Sequence, residues 1–271
     1  MDPGALIYLL LAHFAADFPL QFQNIVKLRN DPDRKTSMLG NALHACIHLM
    51  LSLFSLVFFR SPAMLFIVAA IALLHFIIDM LKSKIISGRP FMKYSIYLFL
   101  ADQAAHLIGI FLVFFTINRI SSGWSFGEMF ESIFLTYPTY GQRLLLSAVL
   151  LTAGLWGTGI FIKIVLGRMG LLPYKRAINL KIELVNSSKD RGAVDGGFLI
   201  GILERLFIII SIVLNMQLVI GFILTVKSVA RLKKFDDERF VEIFIIGSFI
   251  SFISAIAAGY LISLLHIIPA M

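Results

Sequence analysis

The chain has 271 residues, 59% of them hydrophobic and 15% charged, and its mean hydropathy is +0.89. Soluble domains are only about 45–50% apolar, so the composition excludes a soluble globular domain and points to an integral membrane protein. The formal charge of +8 is assigned to basic loops beside anionic lipid rather than to nucleic acid, and the single cysteine, Cys46, excludes a disulfide framework or a thiolate-rich metal site.

A membrane helix needs about 17–25 apolar residues. Eight stretches are read as spans: 4–23, 40–59, 62–82, 94–117, 144–166, 197–214, 216–232 and 240–266. The first lacks a basic leader and an A-x-A-type site, so it reads as a span rather than a cleaved signal. Residues 119–143 read as an external loop with an amphipathic piece carrying Phe126, Phe130 and Phe134. Residues 167–196 form a long polar connection with Gly192, Gly196 and Gly197 near its end, and its "YKRAINLKIEL" would suit an interfacial helix. The expected fold is all-α and polytopic, with an N-terminal four-helix bundle over 1–118 and a C-terminal four-helix region over 144–271.

Loop charge supports eight spans. Connections 24–39, 82–93, 167–196 and 227–239 carry 4, 4, 6 and 5 Lys or Arg, whereas the alternate connections carry only Arg60, Arg119 and Arg143. This alternation predicts cytoplasmic basic loops and both termini outside.

The first four expected spans carry His13 and Asp17, His44 and His48, His75 and Asp79, and Asp102 and His106. Each pair is spaced i, i+4, so its two side chains share one helix face, one turn apart. Ionisable groups at bilayer depth are costly unless they pair or bind an ion. In the expected topology all four pairs lie toward the cytoplasmic ends of their helices, so eight ligands can meet at one level. "HFAAD" at 13–17 recurs as "HFIID" at 75–79, and each is followed by a basic loop and a helix opening with the next pair. That reads as one helical hairpin used twice, with a pseudo-two-fold axis along the membrane normal. Such an axis suits two divalent metal ions in a carboxylate-bearing four-helix bundle. Asp and His ligation without thiolates suits Zn²⁺, with Mn²⁺ or Fe²⁺ as alternatives. Taken singly, each pair would better suit interhelical hydrogen bonding than a metal; the four together favour the metal.

Gln21, Asn41 and Gln103 could orient these ligands or equally make plain interhelical hydrogen bonds, and Lys82, one turn past Asp79, could contact an anionic group, although a lysine at a helix end more commonly snorkels. In the C-terminal half, Arg205, Lys227 and Arg231 are the candidate receptors for a phosphate or other anionic head group. The alternative is that they serve structural ion pairs, Glu204 with Lys227 and Glu242 with Arg205.

"HFAADFPLQ", "HACIH", "HFIIDMLK" and "DQAAH" resemble the bacterial membrane family of domain of unknown function 3307, over roughly residues 5–116. "GFLIGILERL", "IGFILTVKSVAR" and "EIFIIGSFIS" resemble the segment that follows this domain in many members. The resemblance implies a bacterial inner-membrane location and supplies no reaction.

The expected function is therefore read from the site: a binuclear metal-dependent hydrolase of a lipid or lipid-linked substrate at the cytoplasmic leaflet. The metals would activate water and clamp a phosphoryl or acyl oxygen, with Asp17 or Asp79 as general base. No Ser-His-Asp set and no H-E-x-x-H motif competes with this reading. A divalent-cation transporter and a di-iron lipid oxidoreductase are the alternatives. Tight eight-ligand binding and the apolar outer halves of the first four spans weigh against transport.

Overall fold

The computed structural model describes residues 2–59, 61–86, 95–171 and 196–267. The described residues contain helices and no strand. Six helices are long and apolar enough to cross a membrane: Arg34–Phe58, Pro62–Ile85, Ser95–Ser122, Tyr140–Arg168, Gly196–Val213 and Glu238–Ser263. Two shorter apolar helices, Pro3–Asp17 and Leu218–Val229, occupy the other two expected spans. Proline accounts for the early end of the first. Pro19 has no backbone N–H to continue the helix, and Phe18 closes it by donating its amide to the Phe14 carbonyl at 3.0 Å. The second starts after Asn215, whose φ of 56° ends the preceding helix in a left-handed turn.

The chain forms two compact units, Met1–Val149 and Leu150–Met271. In the first unit the helices are α1 (Pro3–Asp17), α2 (Gln23–Arg29), α3 (Arg34–Leu53), α4 (Ser55–Phe58), α5 (Pro62–Ile86) and α6 (Ser95–Ser122). Helices α1, α3, α5 and α6 close a four-membered ring: α1 packs on α3 and α6, and α5 packs on the same two. The buried face of each follows the helical repeat. On α6 it is Asp102, His106, Ile110, Phe114 and Asn118, all buried and spaced by four. On α5 it is Met64, Ile67, Val68, Ile71, His75 and Asp79.

Each of these stripes changes character partway along. One end of the bundle is an apolar core of Leu6, Leu9, Met64, Ile67, Val68, Ile110 and Phe114. The other end holds the histidines and aspartates. The outward faces are apolar, with Phe66 67% exposed and Leu73 61%. Polar groups inside and apolar groups outside are what a lipid-facing bundle requires, and the chain has the construction of a multi-pass membrane protein.

Residues 119–143 are more ordered than a plain loop. A further short helix, α7 (Phe126–Phe130), starts at a capping box in which Ser125 and Glu128 bond reciprocally. The Ser125 amide and hydroxyl both donate to the Glu128 carboxylate, at 2.7 and 2.9 Å, and hold it below its ordinary value. The expected amphipathic piece is present, but its buried anchor is Met129, while Phe126 is 62% exposed.

In the second unit the helices are α8 (Tyr140–Thr152), which begins in the first unit, α9 (Thr158–Arg168), α10 (Gly196–Val213), α11 (Leu218–Val229) and α12 (Glu238–Ser263). A π-helical turn, Ala153–Gly157, joins α8 to α9. Helices α10 and α12 pack around Leu155, Ile208, Ile209, Ala255, Ala258 and Ile262. Gly259 lets them approach, because a Cβ there would meet the Ile212 Cβ at 3.1 Å and the Ile209 Cα at 3.3 Å. The "YKRAINLKIEL" stretch lies outside the described residues.

Gly259→Leu is expected to lower the thermal midpoint in detergent by the equivalent of about 1–3 kcal/mol of overpacking. Gly221 faces open space, so Gly221→Ala should be neutral or raise the midpoint through helix propensity. Equal melting curves for the two variants would contradict this packing.

Candidate metal centre

Helix α3 begins at Asp33, whose side chain caps the Thr36 amide at 2.9 Å. That start sets the phase that turns Asn41, His44 and His48 inward. With α1 supplying His13 and Asp17, α5 His75 and Asp79, and α6 Asp102 and His106, all eight expected ligands are buried, each at most 7% exposed.

Asp17 is the centre of the group. Its Oδ1 lies 3.1 Å from His44 Nε2 and 3.0 Å from His48 Nε2, and its Oδ2 accepts from the Gln103 amide at 2.9 Å. The Nε2 atoms of His44 and His48 are 3.3 Å apart. His75 adds its Nε2 at 3.9 Å from the same Asp17 Oδ1 and at 3.2 Å from Asp79 Oδ2. The imidazoles of His48 and His75 stack at 3.6 Å between centroids, and those of His75 and His106 lie 4.1 Å apart. His13 sits 5.2 Å from the His106 ring.

Hydrogen bonding does not satisfy this group. His13 Nδ1 and Nε2 and His106 Nε2 are buried without a hydrogen-bond partner, and His75 Nε2 and Asp79 Oδ2 face each other at 3.2 Å without the alignment of a hydrogen bond. Native structures leave very few such groups. The clearest case is His106. Its Nδ1 donates to the Asp102 carbonyl at 2.9 Å, which fixes the proton on Nδ1 and leaves the Nε2 lone pair facing the interior. Metal-ligating histidines are oriented in this way. Three groups bring their ligand atoms within 4.8 Å of one another: Asp17, His44, His48 and His75; His13, Asp17 and His106; and His75, Asp79 and His106. These residues fit divalent cations in number, type and spacing.

Asp102 belongs to none of these groups. Lys82 donates to its Oδ2 at 2.6 Å, and Gln103 lies 3.5 Å from the same oxygen. The carboxylate is thus held by the Lys82 ammonium group rather than among the imidazoles. Of the three orienting residues, Gln103 contacts Asp17 directly. Gln21 reaches the Asp17 backbone carbonyl at 3.3 Å and Arg29 Nη1 at 3.1 Å in the amide orientation that satisfies both. Asn41 acts further out, accepting from Arg29 Nε at 3.0 Å and donating to Ser83 Oγ at 3.0 Å.

Sequence reasoning counted Arg29 only as a loop charge. In the structure Arg29 is buried and its guanidinium pairs with Asp79 Oδ1. Gly40 makes this possible. A Cβ at Gly40 would meet the Arg29 backbone nitrogen and would lie 2.7 Å from the Leu28 carbonyl carbon. Helix α2 therefore lies directly against α3, and Ser37 Oγ fixes it by donating to the Arg29 carbonyl at 2.8 Å. The signal in the sequence was Gly40 beside Asn41, a small residue and an amide one turn before the first ligand of α3.

Residues 5–133 match the family described as "Protein of unknown function (DUF3307)". This segment is similar to that family. It includes all eight His and Asp residues and reaches beyond the 116 expected from the motifs, through α7 and into the π-helical turn Glu131–Leu135. No curated protein and no solved structure matches the chain.

The other three expected anion-binding residues, Arg205, Lys227 and Arg231, line one cavity in the second unit. Lys227 pairs with Glu204 at 2.6 Å, as the ion-pair alternative anticipated. Arg205 instead bonds to the Leu155 carbonyl and to Ser251 Oγ, and no ion pair joins it to Glu242 among the described residues.

Removing Arg29 would strand a buried carboxylate. Arg29→Met is expected to destabilise the protein by about 3–5 kcal/mol, and Arg29→Met with Asp79→Leu to recover most of that loss. A thermal-melt double-mutant cycle tests the pairing, and additive effects would refute it.

Proposed function

We propose that the DUF3307-like segment holds two divalent cations and hydrolyses a lipid or lipid-linked substrate bearing a phosphate or ester. The observation that carries this reading is the set of buried imidazole and carboxylate atoms without partners, led by His106 Nε2. Asp17, His44, His48 and His75 would hold one cation. His13 and His106, with Asp17, would hold the second. Zn²⁺ suits this donor set best, with Mn²⁺ and Fe²⁺ next. When bound, such a pair supplies Lewis acidity toward a phosphoryl or acyl oxygen and acidifies water.

The protein's own groups divide the remaining work. Asp17 accepts from Gln103 at Oδ2 and is assigned as a ligand of both cations. Asp79 has Oδ1 held by Arg29 and Oδ2 facing His75 Nε2 at 3.2 Å. Asp79 Oδ2 is therefore the better candidate to take a proton from attacking water. Gln103 holds the rotamer of Asp17, and Asn41 holds Arg29 against Asp79. Lys82, 28% exposed at its side chain, could pass from Asp102 to an incoming phosphate.

The proposal includes eight spans, with α1 and α11 crossing as short helices. It also includes a bundle built from two hairpins of the same orientation, α1 with α3 and α5 with α6. The family resemblance favours a bacterial inner membrane, and loop charge favours the metal centre toward the cytoplasm and both termini outside.

Transport fits less well. At the end of the bundle away from the histidines lies a cavity of about 620 Å³ lined by Asp2, Ser61, Asn118 and Ser121, among others. Between it and His106 stand Leu9, Ile67 and Phe114, each at most 1% exposed. A cation crossing the protein along the bundle would have to pass this dry layer.

Elemental mass spectrometry on the detergent-purified chain is the test. About two Zn, Mn or Fe per chain are expected. Asp17→Ala should lose both, whereas Asp102→Asn should keep both. No metal after loading with excess cation would overturn the reading. Metal that binds weakly, washes out and appears inside proteoliposomes would replace it with transport.

A further inference from the structure

The second unit contains a cationic cavity that the metal centre does not use. We propose that it binds the anionic head group of a membrane lipid, with Arg205 as the anchor. The cavity has a volume of about 300 Å³, at the lower end of small-molecule pockets and more than a bare phosphate requires. Among the described residues four cationic side chains line it, Lys163, Arg205, Lys227 and Arg231, against one carboxylate, Glu204. Glu204 is engaged by Lys227 at 2.6 Å.

Arg205 is 2% exposed. Its described partners are neutral: Nε donates to the Leu155 carbonyl at 3.0 Å and Nη1 to Ser251 Oγ at 3.2 Å. A guanidinium stays charged in proteins, and a buried charge in a membrane helix marks a functional site by default. The backbone is built around it. Leu155 lies in the π-helical turn Ala153–Gly157, a feature frequent at functional sites. Glycines clear the space beside the guanidinium: a Cβ at Gly201 would lie 3.2 Å from Nη1, and one at Gly159 3.1 Å from Nη2.

The rest of the lining selects an amphiphile over a free anion. Ile162, Leu166 and Ile243 make the wall apolar. Lys163 stands over the Phe198 ring at 4.4 Å and Lys227 over Phe244 at 5.6 Å, so these cations sit at the junction of charge and apolar surface. A lipid phosphate would take the free N–H directions of Arg205, with its chains along the apolar wall. This inference does not rest on the metal reading, because no ligand of that centre lines the cavity.

The test is native mass spectrometry of the full chain, delipidated in a neutral detergent. It is titrated with phosphatidylglycerol, with phosphatidylcholine of the same chains, and with inorganic phosphate. One phosphatidylglycerol per chain is expected, retained at collision energies that strip phosphatidylcholine and not displaced by equimolar phosphate. Arg205→Gln should weaken it at least tenfold. Gly247→Leu fills the cavity from the side of Ile162 without touching Arg205 and should do the same, with circular dichroism and melting confirming its fold. Chelator treatment should change nothing. Equal retention of both lipids, displacement by inorganic phosphate, or unaltered binding in folded Gly247→Leu would each overturn the proposal.

Discussion

The arrangement of the first unit depends on one buried carboxylate. Asp17 draws His44 and His48 from α3 and Gln103 from α6 onto a single group at the end of α1. Three helices are thereby tied at one level by polar contacts in a setting where apolar burial against lipid tails gives little drive for association. The fourth helix is tied in through His75, which faces both Asp17 and Asp79. The apolar half of the bundle supplies shape and close packing. The polar half supplies registry, since a shift of α3 by one residue would take both imidazoles off Asp17.

The same group explains why the helices end where they do. Pro19 stops α1 just beyond Asp17 and sends the chain into α2, which returns alongside α3. That reversal lets Arg29 enter from the side and reach Asp79. Two features that look like interruptions of a membrane span, a proline and a glycine, are what deliver an arginine to the interior.

Much of this was legible in the sequence. Four pairs at i, i+4 spacing named the buried faces of α1, α3, α5 and α6, because a helix repeats and a bilayer penalises solitary charge. What escaped depended on contacts between segments distant in sequence. Arg29 looked like any loop cation, since nothing local distinguishes it from Lys27 or Arg34. Asp102 looked equivalent to Asp17 and Asp79, yet an ammonium group close by outcompetes more distant imidazoles for a carboxylate. Helix lengths were overread at α1 and α11, where hydropathy continues past residues that end a helix for conformational reasons. Arg205 was found, but its neutral partners were not, because the sequence does not announce that a π-helical turn will offer a carbonyl.

The pairing of Arg29 with Asp79 bears on the order of events during biogenesis. In small zinc-dependent domains the cation arrives before the fold exists, because the ligands repel or strand one another without it. Here each carboxylate has a resident partner supplied by the chain: Gln103 and two imidazoles for Asp17, Arg29 for Asp79, Lys82 for Asp102. The bundle can therefore be inserted and assembled on its own contacts, and under the proposed metal reading ion uptake would be a later, separate event. The helices would be delivered to the membrane as a finished mould, independent of how much metal the cell has to spare at that moment.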